Sequence, residues 1–573
     1  MASPLYTAGS ALLDGLQELG VEYIFANFGS DHPAIVEALA VARASGAALP
    51  HVVTCPNEMV GLSAAHGFAA STGRPQAVLV HVECGTQALA GAVHNAAKGR
   101  IPVFIFAGAS PITQDGEAKG SRNEFIQWIQ DVHDQRGIVR GYMRYEGEIR
   151  TAAAVRPLVA RAFQFACSDP KGPVYLMGAR EVLEAEAPRG ALAPQDWKPV
   201  SPGAMSPKDV AEVAQALAGA RAPLVVTSFV GRNPAAVEEL VTFCETLGAG
   251  VLESVPSYVN FPHDHPLYQG NQWNEAHRNR ALSDADVILV IDSDVPWIPS
   301  VNRPETDAAI FHIDVDPLKL QMPLWYIPAK GRYAADAATA LGQLNSRLDG
   351  MTLDGAVVER RRSHWAQLHE LRKARLANKE RPGAALTAEL LTAALRRRLT
   401  DDTLIVNEGV SNYQTIFDHL GISTPGTMFA SGGGSLGGHG GAAPGVKLAH
   451  PDKTVLALTG DGSYMFSTPS SVHWMSRRYE APFLTVIYNN GGWKSPKLST
   501  LAVHPQGFAS QAADLDMSFH PQSDYGGIAA AAGGAYAEIV DRLADLEAAL
   551  DRAFHAVNVE RRSAVIDVRL ATA

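Results

Sequence analysis

Two polar turns, each following an apolar run, carry the clearest chemistry in this 573-residue chain. Gly460-Asp461-Gly462 follows the run Thr454 to Leu458 (TVLAL), and Asn489-Asn490 follows the run Phe483 to Tyr488 (FLTVIY). The 26 positions from 463 to 488 between them fit strand, loop, helix, strand. Such a crossover returns parallel to its first strand, so both polar ends meet on one sheet edge. They offer a carboxylate, an amide oxygen and backbone carbonyls. Those are hard oxygen ligands suited to Mg²⁺, which such sites usually share with phosphate oxygens. Gly462 and Ser463 open the following helix, where backbone N–H groups can hold a diphosphate. The competing interpretation is an ordinary βαβ unit with turns at both places.

Other segments present reactive or shaping side chains. CPNEMVGLSAAHGFAASTGRP (Cys55 to Pro75) places Glu58 at the start of a small-residue helix, a position the helix dipole alone would favour. SGGGSLGGHGGAAPG (Ser431 to Gly445) is glycine-rich with one bulky apolar side chain, Leu436. Its Gly432-x-Gly434-x-x-Gly437 also matches a dinucleotide fingerprint, a match that a run this rich in glycine produces by chance. VNEGVSNYQ (Val406 to Gln414) carries Ser411 and Asn412, which a plain helix cap would also explain. GSDHP (Gly29 to Pro33) groups Ser30, Asp31 and His32, and VHVECGTQ carries His81 ahead of Glu83 and Cys84. A histidine beside apolar strand residues is otherwise a satisfied core group.

Taken together, GDG, 26 residues and NN resemble the signature of thiamine diphosphate (ThDP) enzymes. Nearly the whole chain resembles the acetolactate synthase, benzoylformate decarboxylase and 2-hydroxyacyl-CoA lyase group. The Glu58 segment matches that group in order and spacing. The resemblance implies an α/β fold of three doubly wound parallel-sheet domains, called PYR, central and PP. It implies ThDP and Mg²⁺ as cofactors, and leaves room for ADP or FAD in the central domain. Asp461, Asn490 and the Gly492 carbonyl would hold the metal. Ser411, Asn412, Gly462 and Ser463 would lie at the diphosphate. Leu436 would bend the coenzyme, the Gly434 carbonyl would accept from its 4′-amino group, and Glu58 would share a proton with N1′. His81, Asp31 and His32 are the candidates for relaying protons to substrate, with Trp493 and Lys494 over the site.

The implied activity makes or breaks a C–C bond next to a carbonyl. The favoured expectation is a 2-hydroxyacyl-CoA lyase or related acyloin-type carboligase. The alternatives are a 2-oxo acid decarboxylase or an acetolactate synthase-like transferase, and, from another class, a catalytically silent nucleotide-binding homologue. The substrate would be a small 2-oxo acid, aldehyde or acyl-CoA. Members build the site across two subunits, so a homodimer or homotetramer is expected. Two departures disfavour pyruvate decarboxylase: no paired histidines occur, and Pro496 stands where that enzyme has a glutamate.

The elements that must position these residues follow from patterning. Strands are expected at Val21 to Gly29, Gln76 to Val82, Pro102 to Gly108 and Gly172 to Gly178 in a first unit, 1–185. A Pro/Ala/Gly-rich linker follows. Ala222 to Ser228, Asp286 to Asp294 and Ala309 to Pro317 predict a second unit, 205–348. A charged helix ending before Pro382 leads to a third, 383–573, with strands at Thr403 to Gly409, Thr454 to Leu458, Phe483 to Tyr488 and Ser563 to Arg569. Hydrophobic residues make up 46% of the chain and charged ones 19%, ordinary for globular domains. A net charge of -11 gives no basic footprint for nucleic acid and argues against an anionic membrane surface. Four scattered cysteines (Cys55, Cys84, Cys167, Cys244) suit reduced thiols in the cytosol. The N-terminus lacks signal-peptide features, and no run of 18 apolar residues predicts a membrane span.

Overall fold

The computed structural model describes residues 5–571, apart from 275–276 and 513–514. Three parallel six-stranded sheets organise it. The first contains β1 (Tyr23–Ala26), β2 (His51–Thr54), β3 (Gln76–Val80), β4 (Val103–Ala109), β5 (Tyr145–Ile149) and β6 (Val174–Ala179), in the order β2-β1-β3-β4-β6-β5. The second contains β7 (Pro223–Thr227), β8 (Gly250–Ser254), β9 (Tyr268–Gln272), β10 (Val287–Ile291), β11 (Ala309–Asp314) and β12 (Gly331–Ala334), in the order β12-β11-β10-β7-β8-β9. The third contains β13 (Thr403–Glu408), β14 (Met428–Ala430), β15 (Thr454–Gly460), β16 (Leu484–Asn489), β17 (Tyr536–Val540) and β18 (Ala564–Arg569), in the order β14-β13-β15-β16-β18-β17.

The central strands are buried along their length, as in VILVI of β10. Helices on both faces of a parallel sheet exclude water from its interior strands, which explains their continuous apolar runs. The first and third sheets repeat one strand order. In each, the chain reverses direction of growth beside its first strand, which opens a crevice at the carboxyl ends of β1/β3 and of β13/β15. The charged segment before the third unit forms the 25-residue helix Gly355–Lys379. No described helix is long and apolar enough to cross a membrane.

One helix crossing ties the first domain to the third. Helix Glu58–Thr72 starts with Asn57 accepting the Val60 N–H and ends at Gly73 in the left-handed conformation. It packs on helix Gly438–Ala449. A Cβ at Gly67 would overlap the Ala442 carbonyl, and one at Gly445 would overlap that of Ala64. The two backbones are therefore in contact, and only small residues permit that approach.

Candidate active site

The carboxyl ends of β1 and β3 carry the first group of polar residues. The Glu58 Oε1 accepts from the Asn27 amide at 2.7 Å. Glu58 is half-buried at the head of its helix. Asn27 follows β1 directly; in sequence it is one polar residue at a strand end, with nothing to mark it.

Asp31, buried, pairs with the half-buried His81. The His81 Nδ1 lies 2.5 Å from Asp31 Oδ1, and Asp31 Oδ2 accepts the Val82 N–H at 3.0 Å. Gly29 and Gly108 leave the space: a Cβ at the first would overlap the His81 ring, and at the second the Asp31 carboxylate. Val82 is held at φ +33, a strained value for a β-branched residue. The hydrogen bond to Asp31 raises the His81 pKa, even against burial. Burial alone would raise Asp31, but the neighbouring His32 and His81 outweigh it and hold the carboxyl below the usual range. The His81 Nε2 sits 3.1 Å from the Gln130 Oε1. With Nδ1 donating to Asp31, that contact suits a protonated ring. Gln130 lies 49 residues further along, after the short helix Ile126–Ile129, so no local spacing reveals it. The His81 side chain keeps 24% of its surface exposed, so it is more than a core group.

The side chain of His32, the third proton-relay candidate, is 0% exposed, and its Nδ1 accepts the Gly29 N–H at 3.0 Å. Burial lowers its pKa against the pull of Asp31, and its bond to Gly29 supports the loop. The Ser30 hydroxyl, one residue before Asp31, is buried without a partner.

The second group sits at the carboxyl ends of β15 and β16. Asp461 opens the short helix Asp461–Phe466, which includes Gly462 and the buried Ser463. Asp461 Oδ2 and Asn490 Oδ1 are both buried with no hydrogen-bond partner. Burial pushes Asp461 up to about 6, against donation from the Gly462, Gly492 and Gly491 backbones. Unpartnered buried oxygens are costly unless something completes them. An oxygen-seeking cation fits this pair. Gly491 (φ +82) and Gly492 (φ +152) adopt backbone angles that a side chain would strain, so the turn after Asn490 requires glycine.

Ser411 and Asn412 lie in a 3-10 turn between β13 and helix Tyr413–Leu420, and neither side chain caps that helix. The Ser411 hydroxyl lies 3.3 Å from that of Ser495, in the segment following Asn489-Asn490. Trp493 packs edge-on against Phe519, and Lys494 begins the exposed helix Lys494–Val503. In the glycine loop Gly434 is exposed and Leu436 half-buried. Glu408, at the end of β13, accepts the Gly437 and His439 N–H groups at 2.5 and 2.8 Å.

The central sheet has the strand order of dinucleotide-binding folds, with its crevice between β7 and β10. Arg100 from the first domain reaches Asp294 at 2.7 Å and Asp314 at 3.0 Å there. Lys319 bonds the same two carboxylates at 2.7 and 2.6 Å. These carboxylates already balance the cations and would repel a diphosphate, so the residues present do not fit ADP or FAD.

Comparison with known proteins agrees with this architecture. Residues 6–138, 210–344 and 409–568 match, respectively, the N-terminal TPP-binding, central and C-terminal TPP-binding domains of thiamine pyrophosphate enzymes. A sulfoacetaldehyde acetyltransferase of Castellaniella defragrans is 24% identical over 98% of this chain and 93% of its own. A probable 2-ketoarginine decarboxylase of Pseudomonas aeruginosa is 25% identical over 84% and 82%. The structure of a ThDP-dependent 4-hydroxybenzoylformate decarboxylase from Rhodococcus jostii superimposes with TM-score 0.78 over 99% of both chains, at 22% identity. With three successive domains matched and the fold shared end to end, the chain belongs to the thiamine pyrophosphate enzymes.

Proposed function

We propose that this enzyme cleaves the C–C bond of a small 2-oxo acid beside its carbonyl, with ThDP and Mg²⁺. Release of an aldehyde and transfer of the acyl unit to a second carbonyl are the two outcomes of that cleavage. The Asp31–His81 pair carries the reading. An imidazolium whose pKa is raised by a buried carboxylate can meet an incoming carboxylate or carbonyl oxygen and donate a proton to it near neutrality.

Asp461 and Asn490, with the Gly492 carbonyl, would hold Mg²⁺. Ser411, Asn412, Gly462 and Ser463 are the candidates at the diphosphate, and Leu436 and Gly434 at the rings. Glu58, held by Asn27, is the carboxyl that would face the aminopyrimidine ring. Bound ThDP supplies the nucleophile and electron sink for C–C cleavage. His81, oriented by Asp31 and Gln130, moves the proton on the substrate side, and Ser30 offers a hydroxyl to the same oxygen.

We also propose a homodimer or a pair of dimers in the cytoplasm. Every hydrogen bond of Glu58 given above stays within the first domain, and those of Asp461 within the third. Phe125 and Ile129, on the segment bearing Gln130, are 76% and 71% exposed, and Phe508, beyond the metal motif, is 97% exposed. A second copy would cover such side chains while closing the cleft.

The test is an assay with ThDP and Mg²⁺ that offers benzoylformate, pyruvate and a 2-hydroxyacyl-CoA. CO₂ from an oxo acid supports the reading, with acetolactate marking acyl transfer. Formyl-CoA alone would replace it with the acyl-CoA lyase. If none reacts while the protein binds ThDP, both fail.

A further inference from the structure

A loop of successive glycines has no side chains to order it and loses more backbone freedom on folding than any other sequence. The stretch Ser431–Gly437 nevertheless has to hold one bulky side chain, Leu436, at a fixed place. The residues that hold it come from the first domain, on helix Ala90–Lys98.

Asn95, only 3% exposed, uses both ends of its amide on one residue of the loop. Its Oδ1 accepts the Ser435 N–H at 3.1 Å, and its Nδ2 donates to the Ser435 carbonyl at 2.9 Å. The adjacent His94 accepts the Gly434 N–H on Nε2 at 3.1 Å. That ring is braced edge-on by Tyr142, with centroids 6.0 Å apart. A Cβ on Gly433 would collide with Asn95 and His94, so the loop is seated directly on the helix. On the far side Glu408 takes the Gly437 N–H. The residues before and after Leu436 are both pinned.

We propose that Asn95, assisted by His94, is the positioning residue of the loop that carries Leu436. The first domain of the chain thereby sets where its third domain presents the coenzyme-bending side chain. This rests on the reading above that Leu436 bears on the coenzyme. His94 contributes only while neutral, because its Nε2 must accept; burial lowers its pKa in that direction.

The experiment compares Leu436→Ala, Asn95→Ala, Asn95→Asp, His94→Leu and His94→Gln in the full-length protein. It reads ThDP affinity at saturating Mg²⁺, the near-ultraviolet circular dichroism of bound ThDP, and Mg²⁺ affinity. Leu436→Ala and both Asn95 variants should weaken ThDP about 10- to 100-fold and reduce the dichroism, with Mg²⁺ affinity unchanged. His94→Leu should act in the same direction. His94→Gln, whose amide oxygen can accept the Gly434 N–H, should bind ThDP like the parent. Damage from Leu436→Ala with parental binding in Asn95→Ala and His94→Leu overturns the proposal alone. A silent Leu436→Ala overturns the coenzyme reading beneath it. If an Asn95 variant does not fold, the contrast between His94→Leu and His94→Gln decides.

Discussion

The Asn489 amide nitrogen donates to Asp567 Oδ1 at 2.8 Å, and that bond fixes the turn presenting Asn490. Asn489 Oδ1 in turn accepts the Gly491 N–H at 3.0 Å, and Gln522 pairs with the same amide at 3.1 Å. Asp567 sits on β18 and reaches the turn bearing Asn490 through Asn489.

Asp567→Ala should therefore weaken Mg²⁺ binding about 10- to 100-fold, the usual effect of removing a partner behind a metal ligand. Mg²⁺ titration monitored by thermal shift with ThDP present measures it. An unchanged Mg²⁺ midpoint would remove Asp567 from the site.

Asp461 has its pKa raised to about 6 by burial. A raised carboxyl favours the fold most below its unfolded pKa, and this contribution is lost as pH rises through about 6. Mg²⁺ needs the ionised form, so its affinity should fall roughly tenfold per unit as pH drops below about 6. Asp461→Asn should abolish Mg²⁺ binding yet stabilise the metal-free protein above pH 6 by on the order of 2–3 kcal/mol, about two pKa units. Isothermal titration and urea unfolding read the two effects; a less stable metal-free variant would contradict the burial argument.

The His81 pKa is raised by Asp31. Its contribution to stability is complete below the unfolded value and disappears as pH rises through the folded one. Asp31→Asn removes the carboxylate and should move the high-pH limb of the kcat profile to lower pH. His81→Phe should reduce kcat by about 10²- to 10⁴-fold. A profile that stays in place in Asp31→Asn would show that another group supplies the proton.

The crossing of helices Glu58–Thr72 and Gly438–Ala449 leaves no room at Gly67 or Gly445. Gly445→Val must drive the Ala64 backbone away, and should destabilise the protein by roughly 3 kcal/mol or more. Denaturant unfolding provides the measure. Gly383→Ala, with nothing near its Cβ, is the control.

Arg100 joins the first domain to the acidic crevice of the central sheet. Arg100→Met leaves Asp294 and Asp314 short of a cation and should cost about 3–5 kcal/mol. ADP or FAD added to the parent protein should leave its melting temperature unchanged, whereas ThDP with Mg²⁺ should raise it. A shift with either nucleotide would show that the ion cluster yields to a phosphate.

Much of the fold is legible in the sequence because buried parallel strands are continuous apolar runs. The strands expected at the centres of the three sheets are all present. β8, an interior strand reading GVLES, and the six edge strands, β2 and β5, β9 and β12, β14 and β17, are not marked in this way. Tyr536–Val540 alternates half-buried and exposed residues up to the buried Val540, Met428–Ala430 is three residues long, and YQGNQ of β9 is polar. An edge strand takes its conformation from the neighbour it pairs with, and its sequence need not show it.

The site divides along the same line. Asp461, Asn490, Glu58 and Leu436 stand out because glycine-flanked turns and small-residue helices give each a local context. Asp31 and His81 are visible singly, but their bond spans 50 positions, as does much of what gives His81 its raised pKa. Asn27, Gln130, Asn95 and Asp567 carry no local signal at all. Each matters through a partner 31 to 340 residues away, and only packing sheet on helix and domain on domain brings those atoms within hydrogen-bond distance.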